Sequence, residues 1–316
     1  MGALSFSEIE VFMSFFDTFA QMSVLFMMVI VGFCCNKLHY MDQDFNRKLS
    51  SLILNVTAPF LILSSVMGST LPAKEDILPV LIAGLSSMVF VMIVAVPITM
   101  LLRIKKEEAG IYRFMLIFGN INFIGFPVVG VMFGPEAIFY ASVLTIPFYF
   151  FIFLLGVILV TAGRGKATFS WRMFFSPCLV ATYISIILVL LEIKAPATVS
   201  EACHLIGGLT ISGSLLIIGS TLAELPVLHM LGTPKLYLIT LIKLLGLPVV
   251  IYGIFLITPL EKKYADVLVI LAGMPVASIG TMLCLKNGVD SKVMAQGTFL
   301  TTLFSIVSIP LLAIIL

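Results

Sequence analysis

Two short segments place a proline close to glycine and to uncharged polar residues at corresponding points of the two halves of the sequence. Residues 125–128 read Gly-Phe-Pro-Val, and residues 273–276 read Gly-Met-Pro-Val. Asn120 and Asn122 precede the first segment, and Ser278 follows the second. Amides and hydroxyls donate hydrogen bonds without carrying a charge, and neither segment contains a carboxylate that could bind a metal cation or take up a proton. These residues therefore suit the binding of a polar or anionic group.

The two prolines predict where two helices are interrupted. Pro127 and Pro275, which follow Gly125 and Gly273, lie near the middle of long apolar runs. A proline inside a helix costs about 3 kcal/mol because it removes a hydrogen bond and clashes with the preceding turn. Since proline is favoured at the first position of a helix, we expect each proline to begin a half-helix near the middle of the membrane. Two helix N-termini would then face one volume that attracts anions. The alternative is a pair of ordinary proline kinks.

The composition indicates what kind of element carries these segments. Hydrophobic residues make up 60% of the 316 residues and charged residues 11%, whereas about a quarter of a soluble domain is charged. A membrane-spanning helix needs about 20 apolar residues, and the sequence divides into ten runs of about this length in which Lys243 is the one internal charge. Nine of the runs lie between charged residues, at positions 17 and 37, 48 and 74, 76 and 103, 113 and 136, 136 and 164, 172 and 192, 201 and 224, 235 and 261, and 266 and 286. The tenth run follows residue 292. The runs do not alternate in polarity as barrel strands do, so we predict an all-α membrane protein of ten transmembrane helices.

The order of the runs predicts an inverted repeat. A basic loop divides the chain into residues 1–163 and 164–316, each with five predicted helices. Because five is an odd number, the second half would be inverted in the membrane relative to the first. Pro97 and Pro248, in the third and eighth runs, recur at nearly the same offset as the two Gly-x-Pro segments.

The distribution of basic residues predicts the orientation. Alternate loops between the runs lie on the same side of the membrane. Of the 18 Lys and Arg residues, only Lys74, Lys194, Lys262 and Lys263 lie in the loops of one side. Loops rich in Lys and Arg remain in the cytoplasm. We therefore predict a multi-pass protein of the cell membrane with both termini outside.

Four motifs in order resemble the auxin efflux carrier family, which includes plant auxin exporters and bacterial permeases. Residues 119–127, Gly-Asn-Ile-Asn-Phe-Ile-Gly-Phe-Pro, resemble its fourth helix, and residues 55–59, Asn-Val-Thr-Ala-Pro, its second. Residues 241–248 resemble the eighth helix, and residues 272–290 the ninth helix with its exit loop. The resemblance covers nearly the whole chain. It implies that helices 4 and 9 cross at Pro127 and Pro275 with a substrate carboxylate bound beside the crossing.

The resemblance also implies an elevator-type alternating-access mechanism, in which transport helices 3–5 and 8–10 move against scaffold helices 1, 2, 6 and 7. By position, Asn120 matches the crossover asparagine of the plant exporters. The chain lacks the large cytoplasmic loop of those exporters, and residues 212–214, Ser-Gly-Ser, stand where Pro59 would have its counterpart. The missing loop argues against plant-type regulation and against auxin as the substrate.

Lys243 has two interpretations. Charges inside a membrane are functional candidates by default, and this one could face the substrate cavity. It also lies eight residues from Lys235, about 12 Å along a helix, so it could instead reach the cytoplasmic face by snorkelling.

The sequence therefore predicts a secondary active or facilitative transporter of a small organic anion, a mono- or dicarboxylate. We expect a membrane-lipid environment, no cofactor, no metal, no catalytic residue and no nucleic-acid partner, and a homodimer is compatible with the sequence. One alternative is a sodium/proton antiporter of the same architecture, which would need carboxylates at the crossing. The other is an intramembrane hydrolase, for which His204 is the only imidazole within the runs. The candidate substrate-binding residues are Asn55, Asn120, Asn122, Gly125, Pro127, Lys243, Gly273, Pro275 and Ser278.

Overall fold

The computed structural model of the protein describes residues 23–67, 71–161, 175–224, 232–258 and 260–316. Helices dominate this part of the chain, and its one β-bridge joins Gly119 to Val276. Residues 17–22 of the first predicted run and the loop that holds the predicted boundary between the halves, residues 162–174, lie outside the described residues. In chain order the helices are α1 (Ser23–Lys37), α2 (Gln43–Leu52), α3 (Ala58–Ser64), α4 (Ile77–Leu101), α5 (Lys106–Ile117), α6 (Phe126–Phe133), α7 (Pro135–Val160), α8 (Pro177–Leu190), α9 (Ala197–Glu224), α10 (Pro234–Leu241), α11 (Leu247–Phe255), α12 (Lys262–Ala272), α13 (Ile279–Lys286) and α14 (Lys292–Ile315).

Five helical stretches of the described chain are long and apolar enough to cross a membrane. They are Lys74–Leu101, Pro135–Ile152, Ala197–Glu224, Pro234–Phe255 and Lys292–Ile315. Shorter apolar helices cover Ser23–Lys37, Ile121–Phe133 and Pro177–Leu190. The all-helical part of the fold prediction is therefore confirmed.

Helix α4 shows how the surface suits a membrane. Large apolar side chains recur every three or four residues along one face and are 39–69% exposed: Leu78, Ile82, Leu85, Val89, Ile93, Val96 and Met100. Val80, Val91 and Ala95 are buried on another face. Soluble proteins rarely expose a continuous apolar stripe of this size, whereas hydrocarbon chains solvate it well.

Three prolines are accommodated by short π-helical segments rather than by breaks. The segments Ile53–Thr57, Ile121–Gly125 and Ile242–Gly246 lead directly into α3, α6 and α11, whose second residues are Pro59, Pro127 and Pro248. In a π turn the hydrogen bond reaches back five residues, as from the N–H of Phe126 to the carbonyl of Ile121. The wider turn separates the proline ring from the carbonyl with which it would clash in an α-helix. Pro127 therefore lies inside a continuous helical stretch.

The helices form two groups that meet along α6 and α7. In the first group α2 and α3 pack against α9, and α8 packs against α3. Helix α1 joins this group because two glycines allow close approach: a Cβ at Gly32 would lie 2.2 Å from the carbonyl oxygen of Leu216, and one at Gly219 would lie 1.9 Å from that of Val29. In the second group α4 packs against α5 and α7, and α7 packs against α12 and α13. Helix α14 joins this second group by packing against α5, α10 packs against α14, and α11 packs against α12.

Polar clusters tie the helix ends together within each group. At one end of the second group, Asp76 accepts hydrogen bonds from the hydroxyls of Tyr264 and Tyr140, the latter at 3.4 Å, and joins α4, α7 and α12. In the first group, Glu224 accepts hydrogen bonds from Asn36 at 3.1 Å and from Asn46 at 3.2 Å, and joins α1, α2 and α9.

Candidate functional site

Two broken helical rods cross where their backbones are unwound. One rod runs from α5 through residues 118–120 into the π segment and α6, and the other runs from α12 through residues 273–278 into α13. At the crossing the N–H of Asn120 donates to the carbonyl of Pro275 at 2.7 Å, and the N–H of Ala277 donates to the carbonyl of Phe118 at 3.0 Å. Each rod thus supplies partners for backbone groups that the other leaves free, which is required of unwound chain at membrane depth.

The rods break at different residues from those predicted. Helix α5 ends at Ile117, and the next helical segment begins at Ile121 with Asn120 as its N-cap, because the side-chain oxygen of Asn120 accepts the N–H of Phe123 at 3.3 Å. The second rod resumes at Ile279. The prediction that the half-helices begin at Pro127 and Pro275 and cross at both prolines is therefore wrong. The crossing lies at Gly119 and Val276. Pro275 is adjacent to it, whereas the π segment Ile121–Gly125 lies between the crossing and Pro127.

One unwound residue also donates a hydrogen bond to a side chain outside the two rods. The hydroxyl of Thr301, on α14, accepts the N–H of Val276 at 3.0 Å, and Thr301 is buried. A third helix therefore stabilises the crossing.

A cavity of about 260 Å³ lies beside the crossing. Its walls come from the crossing, from the π segment before α3, from α7 and from the start of α8. In the described part of the chain its lining contains no charged side chain. The polar side chains that line it, apart from the thiol of Cys178, are Asn55, Asn120, Asn122, Tyr149, Ser176 and Ser278.

Asn120 links the two half-helices at the cavity. Besides capping its own half-helix, it donates from its amide nitrogen to the hydroxyl of Ser278 at 3.4 Å, immediately before α13. Only 8% of its surface is exposed. Because its backbone and its side chain bond to both rods, Asn120 fixes the shape of this cavity wall.

Two buried polar atoms at the cavity have no partner in the part of the chain that the structure describes. The amide nitrogen of Asn122 donates to the hydroxyl of Tyr149, but the amide oxygen of Asn122 has no hydrogen-bond partner among the described residues. The hydroxyl of Ser176 likewise has none. Buried polar groups in native proteins nearly always have partners, so these two atoms indicate a place for a polar ligand or water.

Three helix N-termini converge on the cavity. Ile121 begins the half-helix that leads into α6, Ile279 begins α13, and Ser176 immediately precedes α8. All three residues line the cavity. Each helix N-terminus carries about +0.5 charge and presents backbone N–H groups without helical partners. The three helix ends therefore favour an anion in this cavity, whose described lining contains no basic side chain.

The structure brings only part of the predicted site to this cavity. Asn55, Asn120, Asn122 and Ser278 line it, whereas Gly125, Pro127, Gly273 and Pro275 do not. Asn55 uses its amide nitrogen to bond the carbonyl of Ser51 at 2.8 Å. Gly125 packs against Leu271, since a Cβ there would lie 2.9 Å from a methyl carbon of that side chain.

Lys243 occupies neither predicted position. Its exposed fraction is 2%, so it does not reach the membrane surface, and it does not line the 260 Å³ cavity. Its ammonium donates to the carbonyl of Leu116 at 3.1 Å and lines a smaller cavity of about 70 Å³. Gly119, Ile121 and Phe148 line both cavities and so separate them. The snorkelling expectation is wrong because the π segment points Lys243 into the protein.

Sequence reasoning missed Tyr149, Ser176 and Cys178. Ser176 followed by Pro177 is a typical helix start, and that signal alone could have pointed to an N-terminus. Tyr149 lies on the long helix α7, two residues after Pro147, and this interior proline is the one local signal in its neighbourhood.

The helices, the crossing and the cavity define a membrane protein with a central polar site, and the comparisons with known sequences assign its class. The family model of membrane transport proteins matches residues 17–168 and 165–313. The chain belongs to this family, the auxin efflux carrier family, as the sequence motifs predicted.

Two archaeal proteins are similar over nearly their whole length. The chain is 25% identical over 319 residues to an uncharacterized transporter of Methanothermobacter thermautotrophicus, covering 97% of this chain and 100% of that protein. It is 24% identical over 298 residues to an uncharacterized transporter of Methanocaldococcus jannaschii, covering 91% of this chain and 95% of that protein.

Proposed function

We propose that the protein is a secondary transporter that carries a small organic anion and binds its carboxylate in the 260 Å³ cavity. The observation that carries the proposal is the convergence of three helix N-termini on a cavity that has amide and hydroxyl groups but no charged side chain in its described lining. Helix N-termini favour anions, whereas the positive end of each helix dipole would repel a dehydrated cation.

The polar side chains offer donors for a carboxylate. If the amide of Asn122 turns by 180°, its oxygen can accept the hydroxyl of Tyr149 and its nitrogen can donate into the cavity. The hydroxyl of Ser176 is a second donor, because it has no partner in the described structure. An anion would thus satisfy buried groups that lack partners in its absence.

The cavity volume favours a small substrate. Pockets for drug-sized ligands occupy roughly 300–1,000 Å³, and this cavity of about 260 Å³ lies just below that range. A mono- or dicarboxylate of a few carbon atoms fits that volume.

An elevator-type mechanism is supported by the position of the cavity between the two groups of helices. Its walls combine α8 and the segment before α3, from the first group, with α7 and the crossing, from the second. The cluster around Glu224 ties only helices of the first group, and the cluster around Asp76 ties only helices of the second. Movement of the second group against the first would carry the cavity with the crossing.

The ten-helix topology with an inverted repeat and both termini outside the cell membrane belongs to the same proposal. It is supported by contacts between loops that this topology places on one face. Lys74 pairs with Glu192 at 2.7 Å on the predicted outer face, and Lys235 donates to the carbonyl of Arg103 at 2.7 Å on the predicted inner face. The family model also matches in two segments that divide near residue 165.

A flux assay in liposomes tests the substrate class. We expect saturable uptake of a labelled small carboxylate, with competition by other carboxylates but not by the corresponding amides or by amines. Competition by amines, or flux of sodium alone, would favour the antiporter alternative and contradict the proposal. Turnover of a substrate without any solute flux would indicate an enzyme.

A labelling experiment tests the orientation. In a variant without its native cysteines, single cysteines at Lys74 and Lys235 should react with an impermeant thiol reagent from opposite faces. Reaction of both from one face would refute the ten-helix arrangement.

A further inference from the structure

The two cavities lie on electrically opposite sides of the crossing. The 260 Å³ cavity receives helix N-termini, whereas the 70 Å³ cavity is lined by Leu116, Ile117, Leu271 and Ala272, which are the last residues of α5 and α12. The last carbonyls of a helix have no partners within it, and each C-terminus is equivalent to about −0.5 charge. Two C-termini therefore converge where Lys243 lies.

Lys243 is the only ionisable side chain in the described lining of this smaller cavity. Its ammonium has three donors, and one of them bonds the carbonyl of Leu116. A buried charge requires compensation, and this lining contains no carboxylate. The two helix C-termini together supply about the one negative charge that an ammonium needs.

Free cations often fill this kind of position. In transporters with discontinuous helices, unwound carbonyls and half-helix C-termini coordinate sodium ions or protons near the middle of the membrane. Here Lys243, in the π segment Ile242–Gly246 between α10 and α11, brings a positive charge to the same kind of position.

We infer that the Lys243 ammonium is a built-in cation that compensates the two helix C-termini beneath the crossing, so that the crossing forms without a bound metal ion. For carboxylate transport, this inference rests on the proposed function. It adds the expectation that transport does not depend on sodium. Lys243 is then a positioning residue, since it acts on the crossing and not on the substrate.

The test removes most of the Lys243 side chain by mutation and supplies the removed atoms as a free ion. Lys243→Ala leaves the Cβ and removes the atoms of n-propylammonium, so that ion can occupy the vacated space. Purified protein is unfolded by heat in choline, sodium or n-propylammonium chloride at one ionic strength, with n-propanol as the neutral control. Lys235→Ala is the matched variant, because it removes an exposed lysine from the rod that contains Lys243.

We expect the wild type and Lys235→Ala to unfold at one temperature in all three salts. Lys243→Ala should unfold about 4–8 °C lower in choline, and n-propylammonium should restore at least half of this loss while n-propanol does not. Equal stability of the two variants in choline would overturn the inference, as would equal rescue by n-propanol, which would indicate the filling of a void. Stabilisation of the wild type by sodium would also overturn it.

Two further readouts keep the outcome decisive. If Lys243→Ala cannot be purified in choline, it is expressed and purified in n-propylammonium. Recovery of folded protein only with that ion supports the inference. Recovery in neither salt contradicts it. Carboxylate flux is then compared in sodium and choline. If no carboxylate is carried although the unfolding pattern is as expected, the proposed function fails and the role of Lys243 stands.

Discussion

The backbone N–H of Asn120 donates to the carbonyl of Pro275 at 2.7 Å, and this bond joins the two broken rods at their crossing. The side chain of Asn120 is not needed for that bond, so it is available to cap its half-helix and to contact Ser278. The backbone thus builds the crossing, while the side chain shapes the cavity. Mutations can separate these two contributions.

Asn120→Ala should reduce transport at least tenfold while membrane insertion remains normal. The variant loses the N-cap and the bond to Ser278 but keeps the backbone bond to Pro275. Loss of an N-cap costs about 1 kcal/mol, so the unfolding temperature should fall only slightly. Uptake per inserted protein measures the effect, and Asn287→Ala, at an exposed amide, is the control. Full uptake by Asn120→Ala would remove this side chain from the site.

Pro127→Ala should impair transport more than Pro275→Ala. Alanine restores the N–H that Pro127 lacks, so the π segment Ile121–Gly125 can return to α-helical geometry and turn Asn122 away from the cavity. Pro275 contributes its carbonyl to the crossing, and alanine at this position keeps that carbonyl. Uptake rates of the two variants in liposomes test the order. A greater loss in Pro275→Ala would show that the proline ring itself holds the crossing.

Tyr149→Phe should raise the KM for the substrate more than it lowers kcat. The hydroxyl of Tyr149 bonds the amide of Asn122, and without it the amide loses its fixed orientation toward the cavity. Concentration dependence of uptake separates the two parameters. Tyr252→Phe, on α11 and outside the cavity lining, is the matched control. An unchanged KM in Tyr149→Phe would place the substrate away from this pair.

Gly219→Ala should destabilise the protein, whereas Gly208→Ala on the same helix should not. A Cβ at Gly219 would lie 1.9 Å from the carbonyl oxygen of Val29, so α1 and α9 must separate, while a Cβ at Gly208 meets no atom within 4 Å. In a helix interior, alanine is more favourable than glycine by about 0.5–1 kcal/mol. Thermal unfolding in detergent should therefore give a lower midpoint for Gly219→Ala and an equal or higher one for Gly208→Ala. Equal midpoints would contradict the close packing of α1 on α9.

The Lys74–Glu192 ion pair predicts a small, pH-dependent effect. The hydrogen bond and charge of Lys74 lower the pKa of Glu192. A lowered carboxyl pKa stabilises the folded state above the ordinary glutamate pKa, and this contribution disappears as the pH falls through the lowered value. Both side chains are solvent-exposed, so Glu192→Gln should lower the unfolding temperature only slightly at neutral pH. The difference from the wild type should vanish in acid, and a difference that grows in acid would contradict the pairing.

Composition and short motifs were enough to show that the chain is a helical membrane protein and which family it belongs to. Long uncharged runs cannot be buried in a soluble fold, so composition and run length decide this without tertiary contacts. The motifs around Asn55 and Asn120 each lie within one short segment of the chain, and local spacing was therefore enough to find them.

The positions of the helix breaks, the surroundings of the cavity and the contacts of Lys243 depend on the folded arrangement of the helices. A proline can be accommodated by a π segment, as at Pro127, so its position does not fix a break. The break instead lies where freed backbone groups find partners in a remote segment, as the N–H of Val276 does at Thr301. Lys243 is compensated by the ends of α5 and α12, which come close to it only after folding. Because these partners are distant in the chain, no local pattern encodes them.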